Sequence, residues 1–127
     1  MFEVKVEKSF SAAHHLLNYQ GACENQHGHN WKVEVYVIGK TLDKSNILVD
    51  FKVLKKELDE VLNYLDHKDI NTLPEFENES PSSEFMAKFI FEQMQNRILS
   101  AKLDTDAKVS KVAVWETPTS RAIYYED

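Results

Sequence analysis

Two long segments of the sequence alternate polar and apolar residues with a period of two, and this alternation restricts the fold more than any other feature. Side chains of a β-strand point alternately to opposite faces, so each segment predicts a strand with one apolar face. The first strand spans about Phe2 to His14, and its apolar face carries Val4, Val6, Phe10, Ala12 and His14. The second spans about His27 to Gly39, and its apolar face carries His27, His29, Trp31, Val33, Val35 and Val37.

The connection between these two segments contains "NYQGACENQ", which suits an antiparallel hairpin. In such a pair the end of the first strand lies beside the start of the second. This arrangement brings His14 toward His27 and His29, so three imidazoles are expected to converge on the core side of the sheet.

The middle of the chain has helical periodicity. Asp50 is a suitable N-cap for a first helix that ends near Asp66–His67, and its repeating apolar residues are Phe51, Leu54, Leu58, Val61, Leu62 and Leu65. The stretch "ESPSSEF" predicts the start of a second helix, which continues to about Leu99. The buried stripe expected on this helix consists of Met86, Phe89, Ile90, Met94 and Ile98.

Two further strands, "KVSKVAVWET" and "SRAIYYE", follow the helices and flank a turn at Pro118. The prediction is a single α+β domain over residues 1–127, with a four-stranded antiparallel sheet and two helices inserted between the strand pairs. Such a sheet has exposed edges, which are often hidden by association with other subunits. We therefore expect an oligomer.

The charge balance excludes some partners. The 127 residues include 15 basic and 21 acidic side chains, a net charge of −6, which argues against a broad surface for nucleic acid or anionic lipid. No stretch approaches the roughly 20 apolar residues of a membrane helix. The single cysteine and the charged segment "MFEVKVEKSF" at the start predict a cytoplasmic protein.

The three histidines match the ligand count of a catalytic zinc site, in which a fourth position stays open. Between His27 and His29, Gly28 lets the backbone lie close to neighbouring groups. Cys23 has three possible roles at this stage: an inert buried residue, a thiolate base or nucleophile with a lowered pKa, or a fourth ligand that closes a structural site.

Two acidic positions also allow functional interpretations. Asp66 and His67 form either a carboxylate–imidazole acid/base pair or a histidine that simply balances the dipole of the first helix. Glu116 stands at a strand end, where a carboxylate is either solvated or accepts two N–H bonds from a guanidine-like ligand edge.

Five motifs in order resemble those of the 6-pyruvoyltetrahydropterin and 6-carboxytetrahydropterin synthase family, which has the tunnelling fold. They are "FSAAHHL", "CENQHGHN", "LDHKDIN", "SPSSE" and "VWET", and the resemblance covers nearly the whole chain. It implies that His14, His27 and His29 bind Zn²⁺, that Cys23 is the catalytic base, and that Asp66 and His67 form the acid/base pair. It also implies that Glu116, Ser82 and Ser83 bind the pterin.

The spacing of three residues between Cys23 and His27 is similar to that of the bacterial carboxy branch, which acts in queuosine precursor synthesis. That branch converts 7,8-dihydroneopterin triphosphate to 6-carboxytetrahydropterin and releases acetaldehyde and triphosphate. The alternatives are the pyruvoyl branch, which keeps the side chain, and a zinc-stabilised binding module without activity. The family also implies a homohexamer, a dimer of trimers in which the sheets close into a barrel. For the triphosphate, Lys68, Lys32 and Arg121 are candidates among which the sequence does not choose.

Overall fold

A computed structural model describes residues 1–19 and 25–127. Within these residues the chain forms a four-stranded antiparallel sheet in the order β1-β2-β3-β4, with two α-helices between the strand pairs. The α+β architecture is therefore confirmed. The elements are β1 (Phe2–His14), β2 (His27–Gly39), α1 (Phe51–Asn63), α2 (Ser83–Ser100), β3 (Lys108–Thr117) and β4 (Ser120–Tyr125), with short 3₁₀ turns at Ile70–Thr72 and Pro74–Phe76.

The register of the first hairpin aligns the two apolar rows found in the sequence. His14 lies opposite His27, and Phe10 lies opposite Trp31. The two strands pair antiparallel, and both apolar rows point to the same side of the sheet. The predicted hairpin and the approach of its histidines are therefore confirmed. β3 continues the sheet on the other side of β2, with Val114 opposite Val33.

Both helices pack on the face of the sheet that carries these apolar rows. The side chains of Leu54 and Leu58 in α1, and of Met86, Ile90 and Met94 in α2, are fully buried. Burial of a leucine of this kind contributes about 2–5 kcal/mol, measured as the cost of truncation to alanine. The core therefore fixes the position of the sheet beneath the helices.

Two predictions for the first helix were wrong: the residue at which it ends, and the burial of Phe51, one of its repeating apolar residues. α1 ends at Asn63 instead of near Asp66–His67, because the chain turns after Tyr64 and His67 adopts a positive φ of 57° that a helix cannot include. Phe51 is 54% exposed, because as the first helical residue it extends beyond the edge of the core. None of the described helices is long and apolar enough to cross a membrane.

The segment after α1 runs along the outer edge of β1. The amide of His67 donates to the Ser11 carbonyl at 2.6 Å, and the amide of Ala13 donates to the Lys68 carbonyl at 3.0 Å. In the opposite direction, the Ser11 amide donates to Oδ1 of Asp66 at 2.9 Å. These bonds place the Asp66–Lys68 segment beside the end of β1 that carries His14.

No helix of the described residues covers the opposite face of the sheet, which holds a charged network. Oε1 of Glu34, which is 7% exposed, accepts a hydrogen bond from Nε1 of Trp115 at 2.6 Å, and Oε2 lies 3.3 Å from Nζ of Lys5. Burial raises the pKa of Glu34, but the hydrogen bonds from Trp115 and Lys5 outweigh it, so the pKa lies below its usual value. Lys32 lies over the Trp115 ring, 4.5 Å from its centroid.

Candidate metal centre

Four side chains from three strands converge at the end of the sheet. The candidate ligand atoms of His14, His27, His29 and Glu116 all lie within 4.8 Å of one another. Nε2 of His14 is 3.0 Å from Nε2 of His27, and Oε1 of Glu116 is 3.1 Å from Nε2 of His14 and 3.2 Å from Nε2 of His29. The structure thus brings together the three histidines that the sequence predicted and adds a carboxylate.

Contacts on the far side of two rings orient their Nε2 atoms toward this cluster. Nδ1 of His14 lies 2.8 Å from the Pro81 carbonyl, and Nδ1 of His27 lies 3.0 Å from the Asn25 carbonyl. A carbonyl can only accept, so each Nδ1 carries the proton and donates it. Each Nε2 is then left with a lone pair, which is the tautomer that binds a metal.

An aromatic residue of β2 supports the cluster from the core. Trp31 is fully buried, and its ring contacts His14 and His29 edge-on, with centroid distances of 4.8 and 5.2 Å. Its Nε1 donates to the Ala12 carbonyl at 3.3 Å. His14 is only 2% exposed, whereas the side chains of His27 and Glu116 are 38% and 32% exposed. The cluster is therefore closed toward the core and open toward the surface.

The donor set fits a zinc ion. Tetrahedral zinc bonded at about 2.0–2.1 Å to each ligand separates its ligand atoms by about 3.3 Å. Four of the separations within the cluster, 3.0, 3.1, 3.2 and 3.9 Å, bracket this value, and all the separations lie within 4.8 Å. Imidazole nitrogen and carboxylate oxygen are both zinc ligands, so the described residues provide suitable atoms at suitable distances.

Asp66 and His67 form the pair that the sequence suggested. Nδ1 of His67 lies 2.9 Å from Oδ2 of Asp66, and the His67 side chain is 82% exposed. The backbone hydrogen bond from Ser11, and then the contact with His67, lower the pKa of the Asp66 carboxyl below its usual value. Asp66 is thus held as a carboxylate, and its Oδ2 orients the accessible imidazole of His67.

Two depressions flank the cluster. One, of about 530 Å³, includes His29, His67 and Lys68 in its lining, so it connects the His67 ring to the histidine cluster. The other, of about 420 Å³, is lined by Ser83, Glu84, Glu116, Ser120, Arg121, Ala122 and Ile123. Two groups of predicted site residues, His67 with Lys68 and Ser83 with Glu116, therefore line depressions that each include a member of the cluster.

The two serines at the start of α2, Ser82 and Ser83, have different contacts. Oγ of Ser82 accepts the Phe85 amide at 3.1 Å and caps the helix, while its hydroxyl hydrogen can still donate. Ser83 lines the depression next to Glu116. Cys23 lies outside the described residues, so its predicted role as base stays a prediction.

Sequence reasoning missed the position of Glu116 within the cluster and assigned it only to ligand binding. The strand pattern of "VAVWET" shows a carboxylate at a strand end, but its distance from the histidines depends on β3 lying beside β2. The same reasoning missed the Pro81 carbonyl that orients His14, because a carbonyl leaves no trace in a residue pattern.

Comparison with known proteins agrees with this geometry. A model of the family described as 6-pyruvoyl tetrahydropterin synthase matches residues 3–127. The chain is 35% identical over 130 residues to the 6-carboxy-5,6,7,8-tetrahydropterin synthase of Synechocystis sp., an alignment covering 98% of this chain and 94% of that protein. It is 36% identical over 128 residues to the 6-carboxy-5,6,7,8-tetrahydropterin synthase of Bacillus subtilis, covering 97% of this chain and 84% of that protein.

A solved structure of 6-pyruvoyl tetrahydropterin synthase from Caenorhabditis elegans is similar in fold, with a TM-score of 0.84 and 26% identity over 99% of this chain and 96% of that chain. The fold and the extent of these matches define a pterin synthase of the tunnelling-fold class. The chain belongs to the 6-pyruvoyl tetrahydropterin synthase family, and its relatives include proteins named 6-carboxy-5,6,7,8-tetrahydropterin synthase.

Proposed function

We propose that this chain is a zinc-dependent 6-carboxytetrahydropterin synthase, a lyase that converts 7,8-dihydroneopterin triphosphate and one water to 6-carboxy-5,6,7,8-tetrahydropterin, acetaldehyde and triphosphate. The observation that carries the proposal is the convergence of three Nε2 atoms beside an accessible carboxylate–imidazole pair. The names of the Synechocystis and Bacillus relatives favour the carboxy branch. The further proposals are a single domain, a cytoplasmic location and a step in queuosine precursor synthesis.

His14, His27 and His29 would hold the zinc ion. Bound zinc supplies Lewis-acid polarisation of the side-chain oxygens of the substrate. Because the cluster is open toward the surface and closed toward Trp31, a polyol tail has one direction of approach. The buried ring of His14 keeps its orientation through the Pro81 carbonyl, so the ligand geometry is preorganised before the substrate arrives.

Proton movement is assigned to residues of this chain. Cys23, as a thiolate, takes the proton bound to carbon in the substrate side chain. Asp66 holds Nδ1 of His67, which leaves Nε2 of that ring to give up and take back protons during the rearrangement. Carbon–carbon cleavage follows once a carbonyl stands next to the bond that breaks.

Recognition of the ring is assigned to the second depression. The Glu116 carboxylate accepts from the amino and N3–H groups of the pterin, a charge-assisted pair of hydrogen bonds. Ser82 and Ser83 add hydroxyl contacts at the start of α2. Of the candidate cations for the triphosphate, Lys68 stands beside His67 in the first depression, which makes it the first choice.

Product analysis tests the proposal. The zinc-loaded protein is incubated with 7,8-dihydroneopterin triphosphate, and mass spectrometry identifies the pterin and any carbonyl fragment. Acetaldehyde with 6-carboxytetrahydropterin is the expected result, and Cys23→Ala should abolish it while zinc stays bound. As a matched control, His27→Gln should abolish it together with zinc binding.

Two other outcomes correspond to different functions. The fold similarity to the Caenorhabditis elegans protein makes 6-pyruvoyl tetrahydropterin synthesis the second candidate. This activity would give a pyruvoyl product and triphosphate without acetaldehyde. A zinc-stabilised binding module would bind the metal and leave the substrate unchanged, and that result would contradict both enzymatic proposals.

A further inference from the structure

The carboxylate of Glu116 occupies a corner of the candidate metal site. Its Oε1 lies 3.1, 3.2 and 3.9 Å from Nε2 of His14, His29 and His27. An atom at the centre of the site, where a zinc ion would be, lies about 2.0–2.2 Å from its ligands. Oε1 is instead at the separation expected between two ligands of one tetrahedron. The carboxylate therefore stands as a fourth ligand and does not fill the place of the metal.

Within residues 1–19 and 25–127, the polar contacts of the Glu116 carboxylate are all with members of the cluster. Its three close polar contacts are to imidazole nitrogens. Glu84 lines the same depression as Glu116, but among the described residues it contributes no ligand atom to the cluster. The two acidic residues thus share a depression but differ in their distance from the metal site.

The same carboxylate also lines the depression that the pterin is proposed to occupy. A guanidine-like edge presents two N–H groups and uses both oxygens of a carboxylate in a bidentate contact. A bidentate contact turns both oxygens toward the ring edge, so Oε1 no longer faces the metal. Glu116 therefore has two competing partners, and occupation of the depression determines which of them it binds.

We propose that Glu116 is a fourth, exchangeable metal ligand in the ligand-free protein, and that the guanidine-like edge of a pterin draws it off the metal. The chemistry of the ligand rests on the proposed function, whereas the metal contact rests on the cluster geometry alone. The exchange couples recognition to reactivity: the coordination position for the substrate side chain opens only when the ring is bound. In the absence of substrate the site is closed with three nitrogens and one oxygen.

This coupling has a thermodynamic consequence. Coupling between two ligands is reciprocal: if the metal weakens pterin binding by some factor, pterin weakens metal binding by the same factor. This holds for a pterin that removes Glu116 from the metal without supplying a replacement oxygen. Pterin without a side chain is such a ligand. It should lower the affinity for the metal by about tenfold, whereas neopterin, whose side chain carries hydroxyl groups, should lower it less.

Cobalt(II), used in place of zinc, makes the exchange visible without turnover. Its absorption in the visible range depends on coordination number, and its affinity is measured by competition with a chelator. We compare the wild-type protein with Glu116→Gln and, as a control for the loss of one negative charge in the same depression, Glu84→Gln. Glu116→Gln should bind cobalt about tenfold or more weakly and change the spectrum, whereas Glu84→Gln should match the wild type.

Addition of unsubstituted pterin tests the second half of the proposal. Pterin should shift the wild-type spectrum toward that of Glu116→Gln and leave the spectrum of Glu116→Gln unchanged. Glu116→Gln with wild-type affinity and spectrum would overturn the metal contact. Pterin that binds by calorimetry but leaves the wild-type spectrum unchanged would overturn the exchange. Failure of the proposed function appears separately, as absence of turnover in a protein that passes both spectroscopic tests.

Discussion

His67 is held in a backbone conformation that few side chains adopt readily. Its φ of 57° lies in the left-handed region, where Asn, Asp and His are enriched among residues other than glycine. Its amide donates to the Ser11 carbonyl at 2.6 Å, and its Nδ1 contacts Asp66. The position of the ring is therefore set by the backbone as well as by the carboxylate.

The variant His67→Asn separates the two contributions. Asparagine tolerates the same backbone conformation, so the free energy of unfolding should change by less than about 0.5 kcal/mol. Turnover of the pterin substrate should fall by about 10²- to 10⁴-fold, since the amide cannot exchange a proton. The measurement is urea denaturation beside a product assay, and His67→Ala, which should also lose about 1 kcal/mol of stability to backbone strain, is the matched control. Wild-type turnover in His67→Asn would contradict the acid/base role.

Asp66 predicts a pH dependence of stability. Its pKa in the folded protein lies below the usual 3.8, because the Ser11 amide and His67 favour the carboxylate. The folded protein thus binds this proton less readily than the unfolded chain, and the stabilisation is complete above the usual pKa and lost as the pH falls through the lower, folded value. Asp66→Asn keeps an oxygen for the Ser11 amide but carries no charge.

Denaturation of both proteins at several pH values isolates this contribution from that of the other acidic residues. The wild type should be more stable than Asp66→Asn at neutral pH, and the difference should shrink as the pH falls below the usual pKa of 3.8. A difference that stays constant below this pH would show that the charge of Asp66 does not stabilise the turn.

At the scale of elements, the end of β2 depends on a glycine. A Cβ on Gly39 would overlap Cδ1 of Leu48 and lie 2.7 Å from Oδ1 of Asp106. That carboxylate accepts the amides of Lys40 and Thr41 and is part of the junction that connects β2 to the following loop. There is no room for a methyl group without moving these partners.

Gly39→Ala should therefore lower the free energy of unfolding by about 1–3 kcal/mol, as expected for overpacking. Gly28→Ala is the control, because its Cβ would have only an ordinary contact, 3.9 Å from the Ala12 carbonyl. Gly28 is thus not required by the packing of the described residues, contrary to the close-approach argument made from the sequence. Equal stability of the two variants, measured by urea denaturation, would contradict this account of β2.

The strands were predicted more accurately than the features that complete the site. A period of two fixes which residues share a face, and a hairpin fixes which ends meet, so β1, β2 and the approach of His14 to His27 followed from the pattern. The end of α1 did not follow, because Leu65 continues the apolar periodicity beyond the last helical turn and is buried outside the helix. Tertiary packing, rather than local propensity, decides where that helix ends.

The position of Glu116 shows the same limit. Its distance from the histidines requires β3 to pair with β2, and the order of strands in a sheet depends on contacts between residues far apart in sequence. The Asp66–His67 pair was predicted, whereas its attachment to Ser11 along the edge of β1 was not. Local patterns identify the functional groups, and long-range pairing determines how they meet.

At the scale of the whole molecule, the sheet has two outer strands, β1 and β4. The segment after α1 pairs with β1 only near Ser11 and Ala13, so the start of β1 keeps an open edge in the described chain. Open edges favour pairing between chains. We propose that the homohexamer implied by the family resemblance, formed by two trimeric barrels, removes them.

Sedimentation velocity tests the assembly. The expected species has about six times the chain mass of 14.8 kDa and persists at the protein concentrations used for turnover. A trimer would support the barrel and contradict its pairing into hexamers. A fully active species of one chain mass would contradict the barrel and any role for a neighbouring subunit in the site.

The central claim is that imidazoles from β1 and β2 bind a zinc ion while the thiol of Cys23 stays free. Zinc K-edge X-ray absorption of the protein loaded with one equivalent of zinc measures this directly. We predict a first shell of nitrogen and oxygen at about 2.0–2.1 Å, with the multiple scattering of imidazole and no sulfur. A sulfur atom at about 2.3 Å, or the same spectrum from His27→Gln, would contradict the claim.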